Sequence, residues 1–213
     1  MLDSRRNILL ACALSALAGY IDGIGFLHLG GLFVSFMSGN STRMGVSLAE
    51  GRWSEASSAL GLIGLFVGGA AVGSLIMQRR NRHVQSLLLM VEGALLIAAT
   101  LCHLATVPFG AVAAIVLAMG LENAAFQIKG SGGLGLTYVT GALVKVGQAV
   151  AVALAGGPRL GWLSNLLLWA ALVAGSVAGA FAYLHLGLIA VWAGGCVALL
   201  IAFVAAVAAD PEH

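Results

Sequence analysis

Val34-Ser35-Phe36-Met37-Ser38-Gly39, followed by Arg43 and Gly45, lies without gaps on Leu136-Thr137-Tyr138-Val139-Thr140-Gly141, followed by Lys145 and Gly147. Hydroxyl stands over hydroxyl, aromatic over aromatic and cation over cation. Working outward, Gly19-Tyr20-Ile21-Asp22-Gly23 matches Gly120-Leu121-Glu122-Asn123-Ala124, and the small pair Gly69/Gly73 matches Gly175/Gly179. A motif that recurs with its flanks in order is an internal repeat. Repeat one covers about 1–107 and repeat two about 108–213 of a single domain, 1–213.

The surroundings of the motif are those of a membrane protein. Charged side chains are 8% of the 213 residues, against about 25% in soluble domains. Hydrophobic residues are 61% and the mean hydropathy is +1.04. Runs without fixed charge recur at the length of about 20 residues that crosses hydrocarbon. Six full spans are expected at about 7–29, 56–78, 84–107, 109–128, 162–184 and 187–207. The stretches 33–49 and 134–155 fit less easily. A helix over Ser38 to Ala49 would be only about 18 Å long, and Ser38, Asn40, Ser41, Thr42 and Arg43 crowd its start. Both are read as re-entrant: a few extended residues, then a half-helix.

Positive charge orients the chain, because short cytoplasmic loops keep Lys and Arg. If 33–49 enters and returns, Arg5 and Arg6 share one side with Arg79, Arg80 and Arg82. Lys129 and Arg159 then also lie inside, and both termini are cytoplasmic. The start, with Arg5-Arg6 and an apolar run ending at Ala16 to Ala18, imitates a cleavable signal. It is read as a retained first helix because Gly19 to Gly23 belongs to the repeat. Three crossings per half is an odd number, so the second copy is expected upside down, giving a 3+3 inverted repeat. Such repeats build many secondary transporters, with sites near the midplane at interrupted helices. The expected fold is therefore all-α integral membrane, six transmembrane helices plus two re-entrant strand/half-helix segments.

Ser38 and Thr140 are expected to cap the half-helices through their hydroxyls. Extended backbone at membrane depth has to lie against protein or water, so the extended pieces, with Ser35 and Thr137, are expected at the centre. Two helix N-termini would then face each other and favour an anion or a carbonyl-rich solute. Gly39 and Gly141 would let a ligand approach the backbone. Arg43 and Lys145 either add positive potential there or snorkel to an interface. Asn40 follows the first cap.

Ionisable groups inside spans are functional suspects by default. Asp22 and its matched residue Asn123 adjoin the interrupted segments, and Asp22 is read either as a proton acceptor or as an ion-pair partner of Arg43. Glu122 is weaker because Ile21 matches it. Glu92 reads as a cap or partner near the cytoplasmic Arg cluster. The histidines form no HxH or HExxH pattern, so no metal site is expected. Cys12, Cys102 and Cys196 read as small buried hydrophobes, and Trp53, Trp162, Trp169 and Trp192 as packing or interfacial residues. No cofactor is expected. No nucleophile and base pair up, so no enzyme is expected. With a net charge of +2 and no Lys/Arg run beyond a pair, nucleic acid is excluded as a partner.

The first motif, Gly19-Tyr20-Ile21-Asp22 with Gly25-Phe26, Leu29-Gly30-Gly31 and Phe33 to Thr42, resembles the signature of the YoaK-like bacterial inner-membrane proteins, a domain of unknown function. Gly120 to Ala124 and Thr137 to Gly141 resemble its second signature, in which Gln is commoner than Glu before the Asn. The resemblance covers nearly the whole chain and implies a six-helix protein of the bacterial inner membrane, without a substrate. In architecture alone, a short strand and half-helix in each inverted half is similar to the core of the sulfate-permease and uracil-permease transporters. Those have about twice the crossings, so a second copy docking through the GxxxG faces is a candidate source of scaffold.

The partners expected are thus the lipid bilayer, a small solute or ion with proton coupling an option, and a homodimer. The function expected is a carrier or channel for a small anionic or polar solute. The alternative is a non-transporting scaffold or assembly protein.

Overall fold

The computed structural model describes residues 5–79, 83–125 and 139–207. These residues form helices α1 (Arg5–His28), α2 (Met37–Ala49), α3 (Trp53–Met77), α4 (Val84–Leu104), α5 (Pro108–Ala125), α6 (Val139–Leu154), α7 (Leu163–Leu186) and α8 (Val191–Val207), with a short 3-10 helix, Gly187–Ala190, between the last two. No strand is present among the described residues. Ile8–His28, Trp53–Met77, Val84–Leu104 and Leu163–Val207 are long and apolar enough to cross a membrane, and the last, of 45 residues, holds both α7 and α8. Pro108–Asn123 and Thr140–Leu154 are shorter apolar helices. The chain is an all-α, multi-pass membrane protein.

Local chemistry sets the breaks. After α1 the chain turns at Gly30 (φ 62°) and Gly31 (φ 97°), values that a Cβ disfavours. The Gly31 N–H donates back to Phe26 O at 2.8 Å, satisfying one of the last carbonyls of α1. α5 opens on Pro108, where a missing N–H costs nothing.

Packing relies on small residues, as expected where lipid gives helices no hydrophobic reason to associate. α1 packs chiefly on α7, α3 on α5, and α4 on α5 and α8. A side chain at Gly19 would strike the Leu172 carbonyl, and one at Gly175 or Gly179 would strike that of Ala16 or Tyr20. At the other crossing, Gly69 faces the Leu117 carbonyl and Gly120 that of Phe66. Gly93 and Gly195 bring α4 and α8 together in the same way. Bonds to opposing carbonyls lock these contacts, from Ser15 to Leu168 at 3.0 Å, Tyr20 to Ala190 at 3.0 Å and Ser86 to Ala202 at 2.6 Å. The glycine faces expected to serve a homodimer are therefore buried inside the chain.

Candidate functional site: a side-chain clamp and a buried acid pair

Residues 30–36 leave the helical path and run back along α1. Asp22 holds them there. Its Oδ1 accepts the N–H groups of Val34 at 2.9 Å and Ser35 at 2.8 Å, and its Oδ2 accepts the Ser35 hydroxyl. Gly25, one turn further on, leaves room for the Val34 side chain. From the other side, fully buried Asn40 accepts the Phe33 N–H at 2.8 Å and donates to the Phe33 carbonyl at 2.7 Å. Arg43 donates to the Gly31 carbonyl. Three polar side chains thus do for this segment what a neighbouring strand does in a sheet. Asp22, Ser35, Asn40 and Arg43 come together as expected, but Arg43 goes to backbone and not to Asp22, so the ion-pair reading is overturned.

Two further expectations need correction. Ser38 is not the cap of α2. The helix begins at Met37, the cap position is Phe36, and no side chain bonds there. Ser38 sits in the first turn, exposed, its carbonyl accepting the Thr42 hydroxyl at 3.2 Å. The aromatic ring of Phe36, turned back over the helix, is what occupies the end. Nor is Gly39 open to a ligand: the rings of Phe33 and Phe36, 5.2 Å apart and edge to face, cover it, and a Cβ would collide with both.

In the second half Thr137 lies outside the described residues. Thr140 is exposed in the first turn of α6, Gly141 and Lys145 are half-buried, and Asn123 donates to the Met119 carbonyl at 2.9 Å. α2 packs along α3 and α6 along α7, with no extensive contact between α2 and α6.

Two further acids lie deep in the bundle. Glu92 and Glu122 are both fully buried, and no hydrogen-bond donor among the described residues reaches any of their four carboxyl oxygens. They lie at similar depth on α4 and α5, which pack on each other. Glu92 therefore does not serve the Arg79 end. The missed signal is its own helix face: Leu88, Leu89 and Leu96, one turn either side, are all core residues. No group of three His, Cys, Asp or Glu among the described residues has the geometry to hold a metal ion. At the far end of α1, His28 lies 3.2 Å from the Tyr183 hydroxyl.

Comparison with known proteins agrees with the resemblance read from the motifs. The family model described as "Protein of unknown function (DUF1275)" matches residues 10–204. A UPF0700 transmembrane protein of Rhizobium meliloti (strain 1021) is 36% identical over 196 residues, covering 92% of this chain and 84% of that protein. No solved structure matches.

Proposed function

The chain belongs to the DUF1275 family of proteins of unknown function, and from that premise we propose that it is a carrier or channel for a small anionic or polar solute, not an enzyme. The observation that carries this reading is the depth of the broken segment. Asp22 lies six residues before the end of α1, about 9 Å along the helix, and it binds Val34 and Ser35. α2 therefore starts inside the membrane layer and runs back toward the surface it came from, as a re-entrant half-helix does. Its exposed residues Ser38, Ser41 and Thr42 form a polar face, which belongs against water or solute and not against acyl chains.

The inverted 3+3 repeat is part of the proposal. Under the match of the two halves, α1 corresponds to α5, α3 to α7 and α4 to α8. The crossing of α1 on α7 then has its counterpart in that of α5 on α3, and α4 on α8 is its own counterpart. The glycines at the two crossings correspond as well, Gly19 with Gly120 and Gly175 with Gly69. Six crossings with both termini on the cytoplasmic side of the bacterial inner membrane fit this symmetry and the placement of Arg79 and Arg159.

The scaffold reading draws on one observation, that Asp22, Asn40 and Arg43 spend their bonds on the chain itself, chiefly on backbone. Uptake into proteoliposomes of a panel of small anions, organic acids and nucleobases separates the two readings. Ser38→Leu, on the exposed first turn, should abolish uptake of any solute that wild type carries while leaving the protein folded. A panel without uptake by wild type, or full uptake by a folded Ser38→Leu, rejects the proposed site.

A further inference from the structure

We infer that Glu92 and Glu122 form a proton-binding pair inside the bundle. The geometry starts with depth. The two acids lie on antiparallel neighbours joined by a short turn, Glu92 about 18 Å before the end of α4 and Glu122 about 21 Å after the start of α5. Both are fully buried, and Leu88, Leu89, Leu96, Ala118, Met119 and Leu121, all nearly inaccessible, line the same region. No donor among the described residues meets their oxygens.

Two ionised carboxylates cannot be buried together without compensating positive charge. Among the described residues no side chain supplies it. α8 and the 3-10 helix, packed on α4, contain no Asp, Glu, His, Lys or Arg, and the exposed thiol of Cys196 is their nearest titratable group. α3 bears Glu55 in its first turn, occupied by Arg52 at 3.0 Å and Ser47 at 3.2 Å, and Arg79 beyond its end. His103 closes the last turn of α4, and His83 precedes its first. α1 carries Asp22, whose oxygens are taken up by Val34 and Ser35, with Arg5 and Arg6 at its start and His28 at its end. A metal ion needs several oxygen ligands, which these apolar walls do not provide. The cation that fits is the proton.

On release, the O–H bond breaks with its electron pair left on the carboxylate, and the proton passes to water on one side; uptake from the other side reverses the step. Coupling of this proton to solute movement rests on the carrier reading; the proton site itself does not.

Infrared spectroscopy of the lipid-reconstituted protein tests the site without any solute. At neutral pH wild type should show an un-ionised carboxyl band in a non-aqueous environment. It should be reduced in Glu92→Gln and in Glu122→Gln, absent in the double variant, and unchanged in Glu50→Gln. Sodium or magnesium added at fixed pH should leave it in place. Absence of the band in wild type, its survival in a folded double variant, or its loss on adding a metal ion would each overturn the proposal. If the double variant does not fold, the two single variants decide by the same criterion. A pH-sensitive dye inside proteoliposomes then reads solute-driven proton entry: a band that behaves as described, without solute uptake, retains the proton site and rejects the carrier.

Discussion

The side-chain amide of Asn40 pairs with both backbone groups of Phe33, accepting its N–H at 2.8 Å and donating to its carbonyl at 2.7 Å. One side chain thus reproduces the double bond exchange of an antiparallel residue pair. It does so from a fully buried position seven residues away. Asn40→Leu, similar in shape, would leave a buried donor and acceptor unmet, each costing about 1–3 kcal/mol. The expected outcome is a clear fall in Tm of the detergent-purified protein. An unchanged Tm would show that the pairing is dispensable.

Asp22 acts on the same segment as an acceptor, and that decides what its substitutions do. Asn keeps one oxygen for the two N–H groups of Val34 and Ser35 and can donate to the Ser35 hydroxyl in place of accepting from it. Ala keeps nothing. Asp22→Asn should therefore stay near wild type in stability and retain solute uptake, whereas Asp22→Ala should lose both, each lost charge-assisted bond counting for about 1.5–3 kcal/mol. Loss of uptake in a stable Asp22→Asn would mean that the charge itself, not the clamp, is needed.

On α3 two glycines five residues apart should respond in opposite ways. Gly69 faces the Leu117 carbonyl of α5, while Gly64 has nothing within 4 Å. Gly64→Ala should be neutral or stabilising by up to about 1 kcal/mol, the helix propensity gained. Gly69→Ala must push α3 and α5 apart, and should lower Tm and folded yield together. Comparable effects at both sites would contradict the packing.

Membrane sidedness follows from the inverted arrangement. With Cys12, Cys102 and Cys196 replaced by Ala, Glu50→Cys, in the turn after α2, should react with an impermeant thiol reagent applied to intact cells. Arg159→Cys, in the turn after α6, should react only once the membrane is opened. Labelling of both from outside would defeat the inverted repeat.

Much of the architecture was legible because membrane spans advertise themselves by length and lack of charge. The expected spans at 84–107 and 162–184 fall on α4 and α7 within a few residues, and the two awkward stretches contain the two short helices. The gathering of Asp22, Ser35, Asn40 and Arg43 was also readable, since polar residues around a helix break at membrane depth have few places to go. Their partners were not, because Arg43 and Asp22 each had a backbone group nearer than each other. Ser38 misled for a local reason: a Ser ahead of a glycine resembles a cap, but the ring of Phe36 sits where the cap should be. Glu92 and Glu122 escaped because nothing along the chain tells which turns of α4 and α5 meet.

A long-range contact of α1 has a consequence for how the protein is made. Ser15 bonds to Leu168 across 153 positions of sequence. At translation speeds of about 5–20 residues per second the first helix waits about 8–30 s in the bilayer before α7 exists. Its glycine face can wait in lipid without harm; Asp22 on the same helix cannot. The residues that cover that carboxylate, Val34 and Ser35, are only 12 and 13 positions downstream. The clamp can therefore close while most of the chain is still being synthesised, sheltering the acid during biogenesis until the helix that completes the bundle arrives.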